Sequence, residues 1–582
     1  MIEEKFQRII KEEEAKIKKE TKTFNVLGSL RIISFIAIVY FAYSYVKEPL
    51  VLFSYLLLAA IIMFIVLVIY HIKVKDRLLY SKNIIAINKK YLQRINGEWI
   101  DFEDTGEELV DKTHRYASDL DIVGARSLFQ LINLTHTFHG RRALGKDLLE
   151  AEYKKEEILE RQGAVLELSG KLEFCQQLEL SASSESIKDP QKMLEYFNTS
   201  KEIYSKLIIS ILRLLPVFVI LVTGAVVLLK VESLYKPVFF LVTLQILIWL
   251  AGMAKNNAVL GNVEYLSSSL ENYVDILKLI EGEEFESDLL KSIKTSLFSD
   301  DASIDGIKKL QSITQRISIR SNGLLYIVFN VLFLWDYQNA FSLELWKQKF
   351  GGEVENWLLS IGAIESLMSL AVPLQIEEAL RFPTIDQENF KIDARAIGHP
   401  LINKEERIYN DISIDDQILI ITGSNMSGKT TFLRTIGINI VLTNAGSVSF
   451  AQSLSLPIMD IFTSMRITDD LKNKISTFYG ELLRIKDILD YAKANRNTFF
   501  LIDEIFRGTN SKDRIYGAKN VLRNLNNQGL MGAITTHDLE LCALDTDPRI
   551  INYNFSEDYI DGLINFDYKI KKGRSTSTNA KH

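Results

Sequence analysis

The chain has 582 residues, with 68 Lys and Arg against 74 Asp and Glu, so its formal net charge is −6. This balance gives no whole-chain basic footprint of the kind that many nucleic-acid-binding proteins carry, although it leaves room for a local basic patch. Hydrophobic residues make up 47% of the chain, which excludes global disorder. The two cysteines, Cys175 and Cys542, exclude a disulfide scaffold and a cysteine-rich zinc module.

The first strongly apolar region runs from residue 25 to residue 70. Residues 32–46 are apolar apart from two serines, Lys47-Glu48-Pro49 predicts a turn, and residues 50–70 carry no charge. At a rise of about 1.5 Å per residue, a helix over 50–70 matches the roughly 30 Å hydrocarbon core of a bilayer. We therefore predict a transmembrane helical hairpin at 25–70, after a cytoplasmic amphipathic segment at 1–24. The alternative is a pair of helices buried in a soluble core.

A basic segment at 71–77 follows this hairpin, at the start of a predicted linker over 71–118. Because basic flanks favour the cytoplasmic side, we expect the termini and most of the chain, including its C-terminal domain, in the cytoplasm. The long charged segment at the N-terminus is not typical of a cleaved signal peptide.

A second apolar region at 207–253 interrupts a predicted helical domain, called here the core/lever domain, at 119–391. Its two stretches are shorter, and they span a bilayer only if Arg213 is buried or snorkels. We predict a second transmembrane hairpin here, again with buried core helices as the alternative. The apolar segment 323–335 is too short to span, so we interpret it as a core helix. Nine prolines in the whole chain favour a mainly α-helical architecture up to residue 391.

From about residue 392 short β-rich runs alternate with helical patterns, which indicates an α/β domain with a parallel sheet. A predicted strand at 417–422 leads into a G-x-x-x-x-G-K-[ST] loop and then a predicted helix at 431–440, the arrangement of a phosphate-binding P-loop (Walker A motif). The loop residues are Gly423, Ser424, Asn425, Met426, Ser427, Gly428, Lys429 and Thr430. Backbone N–H groups of such a loop surround phosphate oxygens. Lys429 is expected to reach the β- and γ-phosphates, and the Thr430 hydroxyl to ligate Mg²⁺.

Two further predicted strands place acid–base groups at the same sheet edge. The run at 498–502 ends in Asp503 and Glu504, and the run at 530–536 ends at His537. We expect Asp503 to hold Mg²⁺ through water and Glu504 to orient or deprotonate the attacking water. His537 is expected to contact the γ-phosphate or that water. The remaining histidines show no metal-ligand spacing with acidic residues, and no structural metal is predicted.

These residues resemble, in matching order, the motifs of the MutS family of ABC-type ATPases. The motifs are Gly398-His399-Pro400-Leu401, the loop segment TGSNMSGKTTFLRTIG at 422–437, Ile461-Phe462-Thr463-Ser464-Met465-Arg466-Ile467 with Asp469-Asp470-Leu471, Ser476-Thr477-Phe478 with Glu481, Asp503-Glu504-Ile505 with Arg507-Gly508-Thr509-Asn510 and Asp513, and Thr536-His537 with Glu540-Leu541. The resemblance extends more weakly upstream, to roughly residue 120.

The resemblance implies an ATPase domain at 392–582 that works as a head-to-tail homodimer. ATP bound along 423–431 of one subunit, including Thr431, would be capped by Ser476 of the other. Closure of the pair would pull on the helical lever and, through it, on the membrane hairpins. Tyr409 is a candidate for stacking on the adenine ring.

The chain departs from the mismatch-repair members of the family. Those proteins carry an N-terminal domain with a Phe-x-Glu mismatch reader, whereas the Phe-x-Glu here, Phe555-Ser556-Glu557, follows the ATPase motifs and is a chance match. The chain therefore resembles a membrane-associated branch of the family. Three functions stay open. The first is a membrane-tethered ATPase with non-specific DNA binding or a repair or recombination role, and the second is a mechanochemical ATPase acting on a membrane or protein partner. The third is a transporter-like protein, which is the weakest because four spans leave little room for a transport pathway.

Overall fold

The computed structural model describes residues 2–111, 113–150, 152–183, 190–199, 204–229, 232–264, 269–298, 302–466, 477–495, 497–506, 511–560 and 563–574. The helices are α1 (Ile2–Lys47), α2 (Val51–Ile95), α3 (Leu128–Ile132), α4 (Phe138–Leu149), α5 (Lys155–Gly170), α6 (Leu172–Ala182), α7 (Gln191–Asn198), α8 (Lys206–Leu229), α9 (Tyr235–Glu264), α10 (Ser269–Gly282), α11 (Asp288–Phe298), α12 (Ala302–Ile317), α13 (Gly323–Phe333), α14 (Trp335–Phe350), α15 (Val354–Ile376), α16 (Lys429–Asn444), α17 (Thr477–Ala492) and α18 (Ser511–Asn527). The strands are β1 (Thr384–Ile385), β2 (Lys391–Ile397), β3 (Asn410–Asp415), β4 (Ile418–Thr422), β5 (Ser453–Leu456), β6 (Asp460–Ser464), β7 (Thr498–Asp503), β8 (Met531–Thr536), β9 (Ile550–Ile560) and β10 (Leu563–Lys572).

The helices α1 and α2 form one long antiparallel hairpin of 46 and 45 residues. Its apolar side chains between Val26 and Ile72 are largely exposed, whereas its polar end packs against the helical domain. There, Phe6 of α1 stacks on Tyr91 of α2 with ring centroids 4.9 Å apart. The segment 71–118 is therefore not a linker throughout, because residues 71–95 continue α2 as a helix.

The end of α2 contacts the C-terminal domain directly. The helix stops at Asn96 and Gly97, and Gly97 has a left-handed φ of 80° that a residue with a side chain rarely adopts. The Asn403 side chain donates a hydrogen bond to the Asn96 carbonyl at 3.2 Å. Tyr91 donates to the Gln375 side chain at the end of α15, at 2.9 Å. The hairpin is thus anchored in the body of the protein at its polar end.

The core of the helical domain is built around α15, which is buried over most of its length. Glu365 of α15 accepts hydrogen bonds from the backbone N–H groups of His136 and Thr137 at 2.8 and 3.2 Å, just before α4. Gly362 allows α15 and α4 to cross closely, because a Cβ at this position would lie 2.6 Å from the His139 backbone. The segment from Trp335 to Ile376 contains an 18-residue window apolar enough to span a bilayer, but 83% of that window is buried inside the protein.

The second apolar region forms α8 and α9, whose apolar stretches are mostly exposed. Among the described residues, α1, α2, α8 and α9 are thus long, apolar and outward-facing, as membrane-spanning helices are, and spanning stays a prediction. The prediction of a core helix at 323–335 is wrong. In α13, Leu324 is 74% exposed, and its neighbours along the outer face are also exposed, because α13 lies on the outside of α9 rather than beneath it.

The C-terminal domain has a six-stranded sheet in the order β10-β9-β4-β8-β7-β6. The strands β9, β4, β8, β7 and β6 pair in parallel, and β10 joins the edge antiparallel to β9, so the sheet is mixed. All residues of β4, β7 and β8 are buried, as expected for central strands covered on both faces. A smaller sheet, β1-β5-β2-β3, lies beside it.

Ion pairs join the helical domain to this sheet close to the P-loop. Asp121 contacts Arg434 of α16 at 3.0 Å and also pairs with Arg466, which follows β6. Asp119 accepts hydrogen bonds from Thr463 Oγ1 at 2.7 Å and from the Arg466 backbone at 2.9 Å. The start of the helical domain is therefore tied to the helix that begins at the P-loop.

Candidate nucleotide-binding site

The P-loop connects the C-terminal end of β4 to the N-terminus of α16. Gly428 is the residue before α16 and has a left-handed φ of 101°, which favours glycine. A Cβ at Gly428 would also lie 3.1 Å from the Tyr568 ring. The loop thus brings its backbone close to a helix N-terminus, where unpaired N–H groups and the helix dipole favour an anion.

Two serine hydroxyls in this loop are buried without a partner among the described residues. These are Ser424 Oγ and Ser427 Oγ. Lys429 is itself 5% exposed, and its Nζ donates to the Gly423 and Ser424 carbonyls at 3.0 and 2.7 Å. Because buried hydroxyls and ammonium groups need acceptors, this arrangement fits a bound phosphate chain.

An oxygen-rich contact lies on the inner side of the loop. Thr430 Oγ1 donates to Asp503, with both carboxylate oxygens at 3.0 Å. Asp503 also accepts from the Thr535 hydroxyl on the neighbouring strand. A hydroxyl and a carboxylate are hard oxygen ligands that suit Mg²⁺, which in phosphate sites takes its remaining ligands from phosphate and water. The described residues contain no group of three or more His, Cys, Asp or Glu side chains that would hold a metal alone.

Glu504 and His537 form a second polar pair at the ends of β7 and β8. His537 Nε2 lies 2.8 Å from Glu504 Oε1 and 3.5 Å from Lys429 Nζ. Glu504 has a left-handed φ of 51°, and its N–H donates to the Thr535 carbonyl at 3.1 Å. This turn directs the carboxylate toward the P-loop, where a positioned carboxylate can accept a proton from water.

Neighbouring residues hold both strand ends in place. Arg514 of α18 forms two hydrogen bonds of 2.8 Å with the carboxylate of Asp538, the residue after His537. Glu481 of α17 accepts a hydrogen bond from the Phe506 backbone, two residues after Glu504. Both anchors belong to the predicted motif segments or lie directly beside them.

A cavity of about 330 Å³ opens over the P-loop. Its walls come from the P-loop, from the chain between β2 and β3, and from β9 and β10. The lining residues are Ile397, His399, Ile402, Glu406, Ile408, Asn410, Asn425, Met426, Ser427, Gly428, Lys429, Thr430, Thr431, Phe432, Thr435, Glu504, Phe555 and Tyr568. Burial lowers the pKa of His399 to about 3, so this imidazole is uncharged at neutral pH.

The candidate adenine contact differs from the sequence prediction. Tyr409 does not line the cavity, whereas its neighbour Ile408 and the distant Tyr568 do. Tyr568 has a left-handed φ of 51° in an irregular part of the β9–β10 pair. Asn410 stabilises this conformation, because its side chain donates to the Tyr568 carbonyl at 3.1 Å and accepts from the Ile570 N–H at 2.9 Å.

The structure brings most of the predicted site residues together. Gly423 to Thr431 form or flank the P-loop, Asp503 contacts Thr430, and Glu504 and His537 meet beside Lys429. Ser476 lies outside the described residues, as do the predicted motif residues at 467, 469–471 and 507–510. Ile408, Asn410 and Tyr568 were not predicted from the sequence, although the motif at 398–401 lies at the start of the same wall.

Residues 419–580 match the family model for MutS domain V. The chain is 32% identical over 245 residues to the DNA mismatch repair protein MutS of Lysinibacillus sphaericus (strain C3-41), covering 40% of this chain and 28% of that protein. It is 30% identical over 230 residues to the DNA mismatch repair protein MutS of Aquifex pyrophilus, covering 38% and 26%. For the protein of the same name from Streptococcus pneumoniae serotype 19F (strain G54), identity is 31% over 231 residues, covering 38% and 27%. The matched segment is thus under a third of each relative's length.

Proposed function

Because this chain belongs to the MutS family through its C-terminal region, we propose that it is a membrane-anchored ATPase that hydrolyses ATP with Mg²⁺. The observation that carries this proposal is a P-loop with two serine hydroxyls that have no partner among the described residues, beside a cavity lined by Ser427, Lys429 and Glu504, with His537 in contact with Glu504. The long outward-facing apolar helices α1, α2, α8 and α9 support the membrane anchor.

The residues divide the chemistry between them. The P-loop N–H groups, the two serines and Lys429 bind the phosphates, and Thr430 and Asp503 would hold Mg²⁺, which supplies charge neutralisation at the β- and γ-phosphates when bound. Glu504 orients the attacking water and accepts its proton. His537 holds the Glu504 carboxylate in position at 2.8 Å. It also lies 3.5 Å from Lys429 Nζ, close enough to contact a γ-phosphate bound by this lysine.

The active unit proposed here is a head-to-tail homodimer, as the family resemblance implies. Glu504 and His537 are 28% and 37% exposed, so a second subunit has access to the face of the site where hydrolysis occurs. In this arrangement Ser476 of the partner subunit caps the nucleotide. Closure of the pair is transmitted to the helical domain through the Arg434–Asp121 ion pair, which links the P-loop helix to the start of that domain.

The first test measures ATP hydrolysis by the full chain in detergent or nanodiscs. We expect hydrolysis with Mg²⁺ and its loss on chelation with EDTA. Lys429→Ala should weaken ATP binding by roughly 10- to 150-fold, because a hydrogen-bonded charged contact contributes about 1.5–3 kcal/mol. Lys493→Ala, in an exposed ion pair with Asp490, serves as the matched control and should bind ATP normally. Full Mg²⁺-dependent turnover by Lys429→Ala would contradict the assigned site.

The relatives are named for DNA mismatch repair, and we propose that any DNA contact of this chain is non-specific. Contacts from Lys and Arg to phosphates carry no mismatch information. We therefore expect DNA affinity that falls steeply with salt and is equal for matched and mismatched duplexes within about threefold, or ~0.65 kcal/mol.

Fluorescence anisotropy with both duplexes at two salt concentrations checks this expectation. A tenfold preference for the mismatch would reveal a reader elsewhere in the chain. Absence of binding at low salt would instead favour the alternative function, a mechanochemical ATPase that acts on a membrane or protein partner without DNA.

A further inference from the structure

The short helix α13 presents an apolar surface to the outside of the protein. Within Gly323–Phe333, Leu324, Ile327 and Leu332 are 74%, 53% and 45% exposed, and Asn330 is the buried residue. The segment carries no charged residue. We propose that α13 is a re-entrant helix, which enters the bilayer beside α8 and α9, contacts lipid acyl chains with its outer face and returns to the cytoplasmic side. This inference rests on the proposed membrane anchoring.

Contacts with α9 set the depth of α13. The Gln245 side chain of α9 donates to the Val331 carbonyl at 2.9 Å, and the Trp249 and Tyr326 rings lie 5.7 Å apart. Both α9 residues belong to the apolar stretch 237–253. If α9 spans the bilayer, α13 lies alongside its hydrocarbon-facing part, and its exposed side chains continue the same apolar surface.

The helix α13 is long enough to enter the hydrocarbon core of a bilayer but too short to cross it. Eleven residues at about 1.5 Å each extend about 16 Å, roughly half the hydrocarbon core. The chain turns at Leu334, which has a left-handed φ of 51° and is fully buried, and continues into α14, which packs in the protein core. The segment therefore cannot cross the membrane and reverses inside the protein.

Polar groups that face the protein stabilise the turn between α13 and α14. Asn330 accepts a hydrogen bond from the Asp336 N–H at 3.0 Å, and Tyr326 donates to the Asp336 carboxylate at 2.8 Å. Arg320 lies 3.5 Å from the other oxygen of Asp336. Irregular backbone at membrane depth is tolerated where protein groups satisfy it, so this cluster meets the condition for a re-entrant turn. An apolar outer face, with the polar groups of α13 turned toward the protein, favours lipid over a polar protein partner.

Nitroxide labels on the full chain in nanodiscs test the inference. Leu324→Cys and Ile327→Cys report on α13, Leu221→Cys in α8 reports on the second hairpin, and Leu166→Cys, at an exposed leucine of α5, is the aqueous control. The native Cys175 and Cys542 are buried, and labelling of the wild-type chain measures the background from these two thiols. We expect the labels on α13 and α8 to be highly accessible to oxygen, which concentrates in the bilayer, and poorly accessible to a water-soluble nickel complex. The label at position 166 should show high nickel accessibility and low oxygen accessibility.

The outcomes separate this inference from the proposed anchoring. Nickel-accessible α13 labels together with a lipid-exposed Leu221 label would overturn the re-entrant helix and leave the anchoring intact. Labels at α13 shielded from both reagents, with dipolar broadening between copies, would show that a second subunit covers this face and would also overturn it. A nickel-accessible Leu221 label would refute the spanning of the second hairpin itself.

Discussion

The variant Glu504→Gln is expected to bind ATP and to lose turnover by roughly 10²- to 10⁴-fold. In the native chain His537 lies 2.8 Å from the Glu504 carboxylate. Glutamine keeps the size of the side chain and can keep this hydrogen bond, but it cannot accept the proton of the attacking water. Single-turnover hydrolysis measured beside equilibrium ATP binding separates the two effects. The expected result is unchanged binding with trapped, unhydrolysed ATP.

Glu540→Gln is the matched control for this variant. Glu540 lies three residues beyond His537, but its side chain is 69% exposed and its contact with Lys519 is 3.9 Å long. It should hydrolyse ATP at the wild-type rate. Wild-type turnover by Glu504→Gln would mean that another group activates the water, and the assignment of Glu504 would have to be abandoned.

The second large effect concerns the membrane. The exposed apolar surface of α1 and α2 alone amounts to tens of kcal/mol of unfavourable hydration at about 25 cal/mol per Å². The full chain should therefore sediment with membranes and resist extraction by carbonate and by high salt. A chain lacking residues 1–70 should remain partly in the pellet, because α8 and α9 are exposed and apolar as well.

A peripheral membrane protein released by the same carbonate wash is the control for this fractionation. If the full chain stays in the supernatant without detergent, the four predicted spans are refuted together. Release on deletion of residues 1–70 would refute the second hairpin alone and keep the first.

The P-loop and the acidic strand end beside it were predictable because their signals are local. A β-strand, a glycine-containing loop with Lys429 and Thr430, and a helix follow one another in the chain, and the carboxyl ends of parallel strands meet at one edge. That geometry brings Asp503 and Glu504 to the P-loop without any knowledge of tertiary packing. The MutS resemblance of this region is confirmed by the domain V match.

The cavity wall was not predictable, because it depends on long-range contacts. Tyr568 reaches Gly428 only through the irregular β9–β10 pairing and the Asn410 side chain, which is far away in the sequence. The exposed position of α13 was not predicted from the sequence for a different reason. An apolar run of this length fits a buried core helix and a lipid-facing one equally well, and hydropathy does not tell them apart.

The uninterrupted course of α2 has a consequence for how the two ends of the protein influence each other. One rigid helix runs from the apolar end of the hairpin to Asn96, where it contacts Asn403, and the adjacent Ile402 lines the nucleotide cavity. Bilayers of different hydrophobic thickness impose different tilts on a spanning helix. If α2 spans the bilayer, we expect a change in its tilt to move the cavity wall at Ile402 and so to change nucleotide affinity. Thermodynamic reciprocity then requires that nucleotide occupancy bias the tilt by the same free energy. Nucleotide affinity at the proposed ATPase site would then vary with lipid chain length, and so with membrane thickness.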